Sequence, residues 1–179
     1  MKQENILSKK TYFKYGILFV VLLVLDQITK YFAKLNFADG DSFVILPKVL
    51  KFIYHENEGA AWGIFSGRAS LLTMITVVAV AIIAYLFFKL PRTKKYNALR
   101  YILVFIAAGA AGNNLIDRVL FGHVIDFIYF ELIDFPVFNV ADIYITCSTV
   151  LFAILLLFYY KDDDFACLSK KKKDEKIES

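Results

Sequence analysis

Two carboxylates stand in this chain where a carboxylate is costly to keep. Asp126 follows an apolar segment in His123-Val124-Ile125-Asp126-Phe127, and Asp142 lies inside the next one, in Phe138-Asn139-Val140-Ala141-Asp142. A charged side chain at membrane depth costs about 3 kcal/mol or more, and such residues as a rule serve a function. Two of them, about sixteen residues apart, fit a paired general acid and base. Close carboxylates cannot both ionise, so they share a proton; one activates water while the other polarises a carbonyl. Such a pair can add water to a carbonyl with no covalent intermediate, metal or cofactor. Other hydrolytic signatures are missing: there is no Gly-x-Ser-x-Gly elbow, no His-Glu-x-x-His and no phosphate-binding loop. His55 and His123 are not at metal-ligand spacing and read as surface-loop residues. The two cysteines, Cys147 and Cys167, imply neither a disulfide framework nor a zinc site. Cys147 reads as a small helix-packing residue.

The elements that must position these groups are membrane spans. The chain has 179 residues, 59% of them hydrophobic and 21% charged, and its mean hydropathy is +0.56. An ordinary soluble domain is less apolar. The expected fold is an all-α membrane protein of four transmembrane helices, at about 15–34, 69–88, 101–120 and 137–160. The third span turns small from Ala107 to Gly112, which lets a neighbouring helix approach closely. The first outer loop, 36–68, carries β-prone runs at 43–46 and 49–54 around Pro47, predicting a small β-rich extracytoplasmic cradle. Lysine and arginine concentrate in the amino tail (1–14), between spans two and three, and after Lys161. The positive-inside rule then places both termini in the cytoplasm. The basic clusters flank apolar spans, so they set orientation and do not indicate nucleic acid. The charged tail, 161–179, reads as disordered, leaving 15–160 as one domain.

Depth gathers the polar residues at one level. At about 1.5 Å of rise per residue, Asp26 lies roughly 18 Å above Lys14 and Lys30 roughly 24 Å. By the same rise, Asn114 and Asp117 lie about 21 and 25 Å above Arg100, and Asp142 about 28 Å above Lys161. With a hydrocarbon core about 30 Å thick, all belong to its outer third, and the site is at the outer interface. Asp26 and Lys30 are one turn apart on one helix face and can pair. Charged residues at span ends often only anchor or snorkel, so a simple interfacial ion pair of Asp117 with Arg118 stands as the alternative to a role in the site, and Trp62 taken alone reads as an interfacial anchor.

These motifs, in this order, resemble those of the lipoprotein signal peptidases (signal peptidase II), four-span bacterial membrane aspartyl proteases. The similarity runs from about Tyr15 to Tyr160 through five stretches. They are Asp26-Gln27-Ile28-Thr29-Lys30, Asn57-Glu58-Gly59-Ala60-Ala61-Trp62-Gly63, Asn114-Leu115-Ile116-Asp117-Arg118, Val124-Ile125-Asp126-Phe127 and Phe138-Asn139-Val140-Ala141-Asp142. The resemblance implies that Asp126 and Asp142 form the catalytic dyad. It implies supporting or substrate-orienting roles for Asp26, Lys30, Asn57, Gly59, Trp62, Asn114, Arg118 and Asn139. The substrate it implies is a diacylglyceryl-modified prolipoprotein, cut before the lipidated cysteine, with membrane lipids as neighbours. No cofactor, metal or nucleic acid is expected, and the protein is expected to be a monomer. One departure concerns the third stretch. The family usually has glycine directly before its asparagine, whereas here Asn113 precedes Asn114, so anchoring on Asp117-Arg118 selects Asn114 and leaves Asn113 as the alternative. Two other classes compete with the peptidase. A metal-dependent lipid head-group transferase predicts sensitivity to chelators, and a proton-relaying transporter subunit predicts broken or repeated spans.

Overall fold

The structure, a computed structural model, describes residues 7–59 and 67–165. Four helical segments in it are long and apolar enough to cross a membrane: Lys9–Phe37, Ala69–Lys89, Lys94–Phe121 and Val140–Phe158. We number the elements α1 (Lys9–Phe37), β1 (Phe43–Leu46), β2 (Leu50–Asn57), α2 (Ala69–Lys89), α3 (Asn97–Ala110), α4 (Arg118–Phe121), β3 (Val124–Phe130) and α5 (Val140–Phe158). Between α3 and α4 the third span widens into a π-helical segment, Ala111–Asp117.

α3 is the central helix, packed against α1, α2 and α5. α2 is apolar all round and buries only Thr76, as a helix facing lipid on most sides must. Small residues bring the central helix close to its neighbours. A Cβ on Gly109 would stand 2.6 Å from the Ala141 carbonyl of α5, and one on Gly112 would stand 2.6 Å from Oδ2 of Asp26 on α1. At the opposite end Tyr12 and Tyr15 meet the Phe87 ring of α2 edge-on. That packing carries α1 down into the basic tail, so the helix begins before the expected Tyr15.

The expected cradle has a strand more than the first outer loop can supply. β1, β2 and β3 form one antiparallel sheet in that order, and β3 comes from the second outer connection. The run Val-Ile-Asp-Phe-Ile-Tyr-Phe is rich in β-branched and aromatic residues, a strand signal that placing Asp126 simply after a span does not use. β2 extends to Asn57, which places His55 on a strand opposite Asp126 and not in a loop. The fourth span starts later than expected, because Phe138 is still extended. Its N–H donates to the Ile128 carbonyl at 3.0 Å, and its own carbonyl accepts from the Phe127 and Ile128 N–H groups at 3.0 and 2.8 Å. This bridge ties the chain entering α5 to the strand that carries Asp126.

Gly112→Ala is expected to remove about 1–3 kcal/mol of stability by overpacking. Asp26 cannot retreat from the added methyl, since Lys30 and the Ala141 N–H hold it. Gly16→Ala, with nothing within 4 Å, should keep or slightly raise Tm, since alanine loses less backbone freedom in a helix. Thermal unfolding of both variants in detergent checks the contrast.

Candidate active site

An ammonium ion organises the site. Lys30 is 1% exposed, Asp26 1% and Asp117 0%, so none of them can be left to water. Lys30 Nζ reaches Asp26 Oδ2 at 2.7 Å, Asp117 Oδ2 at 2.8 Å and Asn113 Oδ1 at 2.6 Å. Three protons therefore meet three acceptors, drawn from α1 and from the π-helical segment. Asp117 also accepts from Gln27 Nε2 at 2.7 Å and from the Ile125 N–H at 3.3 Å, which joins α1 to the start of β3. Asp26 accepts from the Ala141 N–H at 3.0 Å, joining α1 to α5. The simple pairing of Asp117 with Arg118 does not form, because Lys30 claims the Asp117 carboxylate. Depth along the spans brought Asp117 to the level of the site, but the sequence assigned neither it nor Gln27 a role there; their side chains join the network only where α1 meets the third span.

Asn139 holds both candidate catalytic carboxylates. As the N-cap of α5 it accepts from the Asp142 N–H at 3.1 Å, while its own N–H donates to Asp142 Oδ2 at 3.0 Å. This reciprocal capping box explains a carboxylate in the first turn of an apolar helix, where the helix dipole also favours negative charge. The Asn139 side-chain amide then donates to Asp126 Oδ1 at 2.6 Å. Asn57, at the end of β2, donates to Asp126 Oδ2 at 2.9 Å, and its carbonyl oxygen accepts from the Gly59 N–H at 2.9 Å. Asn113 Nδ2 donates to Asp142 Oδ1 at 2.8 Å.

Asn114 and Arg118 do not touch either carboxylate. Arg118 Nε donates to Asn114 Oδ1 at 2.8 Å, and the guanidinium also binds the Glu58 and Gly59 carbonyls. Together they hold the chain where it leaves β2. Trp62 lies outside the described residues. A π-helical turn inserts one extra residue, and here it turns Asn113 toward the carboxylates and Asn114 toward Arg118. Of the two asparagines, the structure thus sets Asn113 against Asp142.

Asp126 and Asp142 line one cavity of about 1050 Å³, bounded by residues 55–59, by 134–138 and by one face of α5. Cys147 is exposed and lies on that wall, so it does not pack between helices. Burial pushes the Asp126 carboxyl up from 3.8 to about 7, and the neighbouring Asp142 adds to the rise. The Asn57 and Asn139 amides and the Lys30 charge pull the other way. Among the described residues, no group of three histidine, cysteine or acidic side chains could hold a metal ion. The arrangement can take a proton at one carboxyl and give one at the other.

Comparison with known proteins covers most of the chain. The family described as signal peptidase (SPase) II matches residues 18–158. A lipoprotein signal peptidase of Staphylococcus carnosus (strain TM300) is 40% identical over 150 residues, which is 82% of this chain and 92% of the relative. One from Staphylococcus aureus (strain MRSA252) is 37% identical over 151 residues, 83% of this chain and 91% of that protein. A bacterial membrane enzyme solved by the in meso method at 2.3 Å resolution superposes with a TM-score of 0.74 at 32% identity, covering 97% of this chain and 98% of its own. A second, at 1.9 Å, gives 0.72 at 35% identity over 88% and 99%.

The raised Asp126 value has a stability consequence. A carboxyl whose value rises on folding favours the folded state only while protonated, so its contribution is whole below about pH 4 and is lost as pH rises through about 7. Asp126→Asn removes that loss. The variant's Tm relative to the wild type should therefore be higher at pH 8 than at pH 5, in thermal unfolding across that range. An identical offset at both values would show that Asp126 does not titrate there.

Proposed function

This chain belongs to the signal peptidase II family, and we propose that it is a membrane-embedded aspartic endopeptidase in which Asp126 and Asp142 activate water. Its substrate is a diacylglyceryl-modified prolipoprotein, cut before the lipidated cysteine. The observation that carries the mechanism is the double grip of Asn139, whose backbone N–H holds Asp142 while its side-chain amide holds Asp126. Two carboxyls fastened by one residue keep a fixed relation to each other and to the cavity they share.

The chemistry follows from one proton distributed over two carboxyls. The ionised member takes a proton from water as the water oxygen attacks the scissile carbonyl carbon. The protonated member gives its proton to the carbonyl oxygen, producing a neutral tetrahedral diol. Collapse of the diol returns a hydroxyl proton to the second carboxyl while the first protonates the leaving nitrogen. The C–N bond breaks, and the dyad regains its starting state. No group outside the chain and the water is consumed.

The surroundings suit an apolar, lipid-anchored peptide. Phe135, Val137, Phe138 and Ile143 line the cavity beside the dyad, and Asn57 and Gly59 stand at the edge of the β2 exit. Trp62, in the segment that follows, is proposed to contact substrate. Arg118, held by Asn114, binds the Glu58 and Gly59 carbonyls just beyond β2, while Asp26 and Lys30 support the dyad from α1. The lysine and arginine distribution puts both termini in the cytoplasm and the dyad near the outer face. Residues 15–160 act as one monomeric peptidase domain between two charged tails.

Asp126→Asn and Asp142→Asn should each lower cleavage of a diacylglyceryl precursor peptide by about a thousandfold or more, since an amide can neither take nor give the proton. EDTA should have no effect. The unlipidated precursor should be a poor substrate, because acyl burial contributes about 0.8 kcal/mol per methylene to locating the peptide at membrane level. Near-normal turnover by either variant, or equal rates for the two precursors, would overturn the corresponding part of the proposal.

A further inference from the structure

We propose that Asn113 is a positioning residue that transmits the buried Lys30 charge to Asp142, making Asp142 the carboxylate that takes the proton from water and leaving Asp126 as the acid. The inference rests on the dyad reading above and assigns its two roles.

The direction of the Asn113 amide is fixed by chemistry. An ammonium has no acceptor, so only Oδ1 of Asn113 can face Lys30, and it does so at 2.6 Å. The donor end must then face Asp142, where Nδ2 stands 2.8 Å from Oδ1. The other two Lys30 protons are committed to Asp26 and Asp117, so Lys30 has none left for Asp142. Its charge reaches the dyad through the polarised amide. A flipped amide would set Nδ2 against the ammonium and Oδ1 against the carboxylate, both unfavourable contacts.

The two carboxyls have equal numbers of donors but unequal ones. Asp142 receives an amide backed by a formal positive charge and a backbone N–H at the N-terminus of α5, where negative charge is favoured. Asp126 receives two neutral side-chain amides, whose carbonyl ends are occupied by the Gly59 and Asp142 N–H groups. The shared proton therefore belongs on Asp126. The other titratable groups near Asp142 come from every side. They are Asp26 and Lys30 on α1, Asp117 before α4, Arg118 on α4, Asp126 and Tyr129 on β3, Asp134 after it, and His55, Glu56 and Glu58 along the β2 edge of the cavity.

The test compares Asn113→Leu, close in size but without polar atoms, with the wild type in detergent on a fluorogenic diacylglyceryl precursor peptide. Asn113→Asp, which keeps the size and the Lys30 acceptor, serves as the second variant should the leucine variant unfold. Losing the donor favours protonation of Asp142, so the acidic limb of the kcat–pH profile should move up by about one pH unit in either variant, a tenfold change in that equilibrium. kcat at the optimum should fall about tenfold, the scale of a lost hydrogen bond to a charged group, with KM within about twofold. An acidic limb that stays in place while kcat falls would reduce Asn113 to a packing residue. Movement of the alkaline limb alone would reverse the assignment of the dyad, and either result overturns the inference. Asp126→Asn and Asp142→Asn run alongside: turnover by both removes the dyad reading itself, whereas two inactive dyad variants with an unmoved acidic limb remove only the role of Asn113.

Discussion

A lysine ammonium shut away from water must find an acceptor for each of its protons, and the rest of this structure is arranged around that demand. Lys30 lies on α1, yet two of its three acceptors, Asn113 and Asp117, lie on the third span. Removing one partner of such a buried pair typically costs about 3–5 kcal/mol, since the other charge is left uncompensated. The network thus fixes the register of α1 against the third span. Asp26 extends it to α5 through the Ala141 N–H, and Asp117 extends it to β3 through the Ile125 N–H. One charge thus links α1, the π-helical segment, β3 and α5, and β2 is held through the sheet.

The close approach of these elements depends on small residues and on one irregular turn. Gly109 and Gly112 leave no room for a Cβ against α5 and α1. That approach sets Asp26 on α1 within reach of the Ala141 N–H on α5. The π-helical turn then redistributes what the third span presents: Asn113 and Asp117 toward the charge network, Asn114 and Arg118 toward the chain leaving β2. π-turns of this kind occur frequently at functional sites. In this chain the turn separates two adjacent asparagines into two tasks.

Activity and stability pull against each other at Asp126. Burial raises its carboxyl to about 7, so ionising it opposes folding, while the proposed chemistry needs a carboxyl that keeps its proton near neutral pH. Asn57 and Asn139 limit the cost by donating to its two oxygens. The antiparallel pairing of β2 with β3 places Asn57 there, and the Ile128–Phe138 bridge places Asn139. The sheet is therefore part of the site and more than a cover over it.

Hydrophobic patterning by itself determined four spans, because a run of about twenty apolar residues has few other places to go. Depth counted along those spans brought Asp26, Lys30, Asp117 and Asp142 to one level, since helical rise is nearly constant. The i, i+4 spacing of Asp26 and Lys30 announced their pair, and the order of five short motifs announced the family. What remained depended on contacts between distant segments. β3 pairs with β2 across the whole of the second and third spans, so its strand character was visible in Val124–Phe130 but its place in the sheet was not. The exchange of partners that gives Asp117 to Lys30 and frees Arg118 for the Gly59 carbonyl followed from which helices touch. The choice between Asn113 and Asn114 required an extra residue in one turn, and no periodicity in Ala-Gly-Asn-Asn reports that a turn will widen. Local propensity fixes which elements form, whereas the partner of a buried polar group is decided by whatever the folded chain brings within about 3 Å of it.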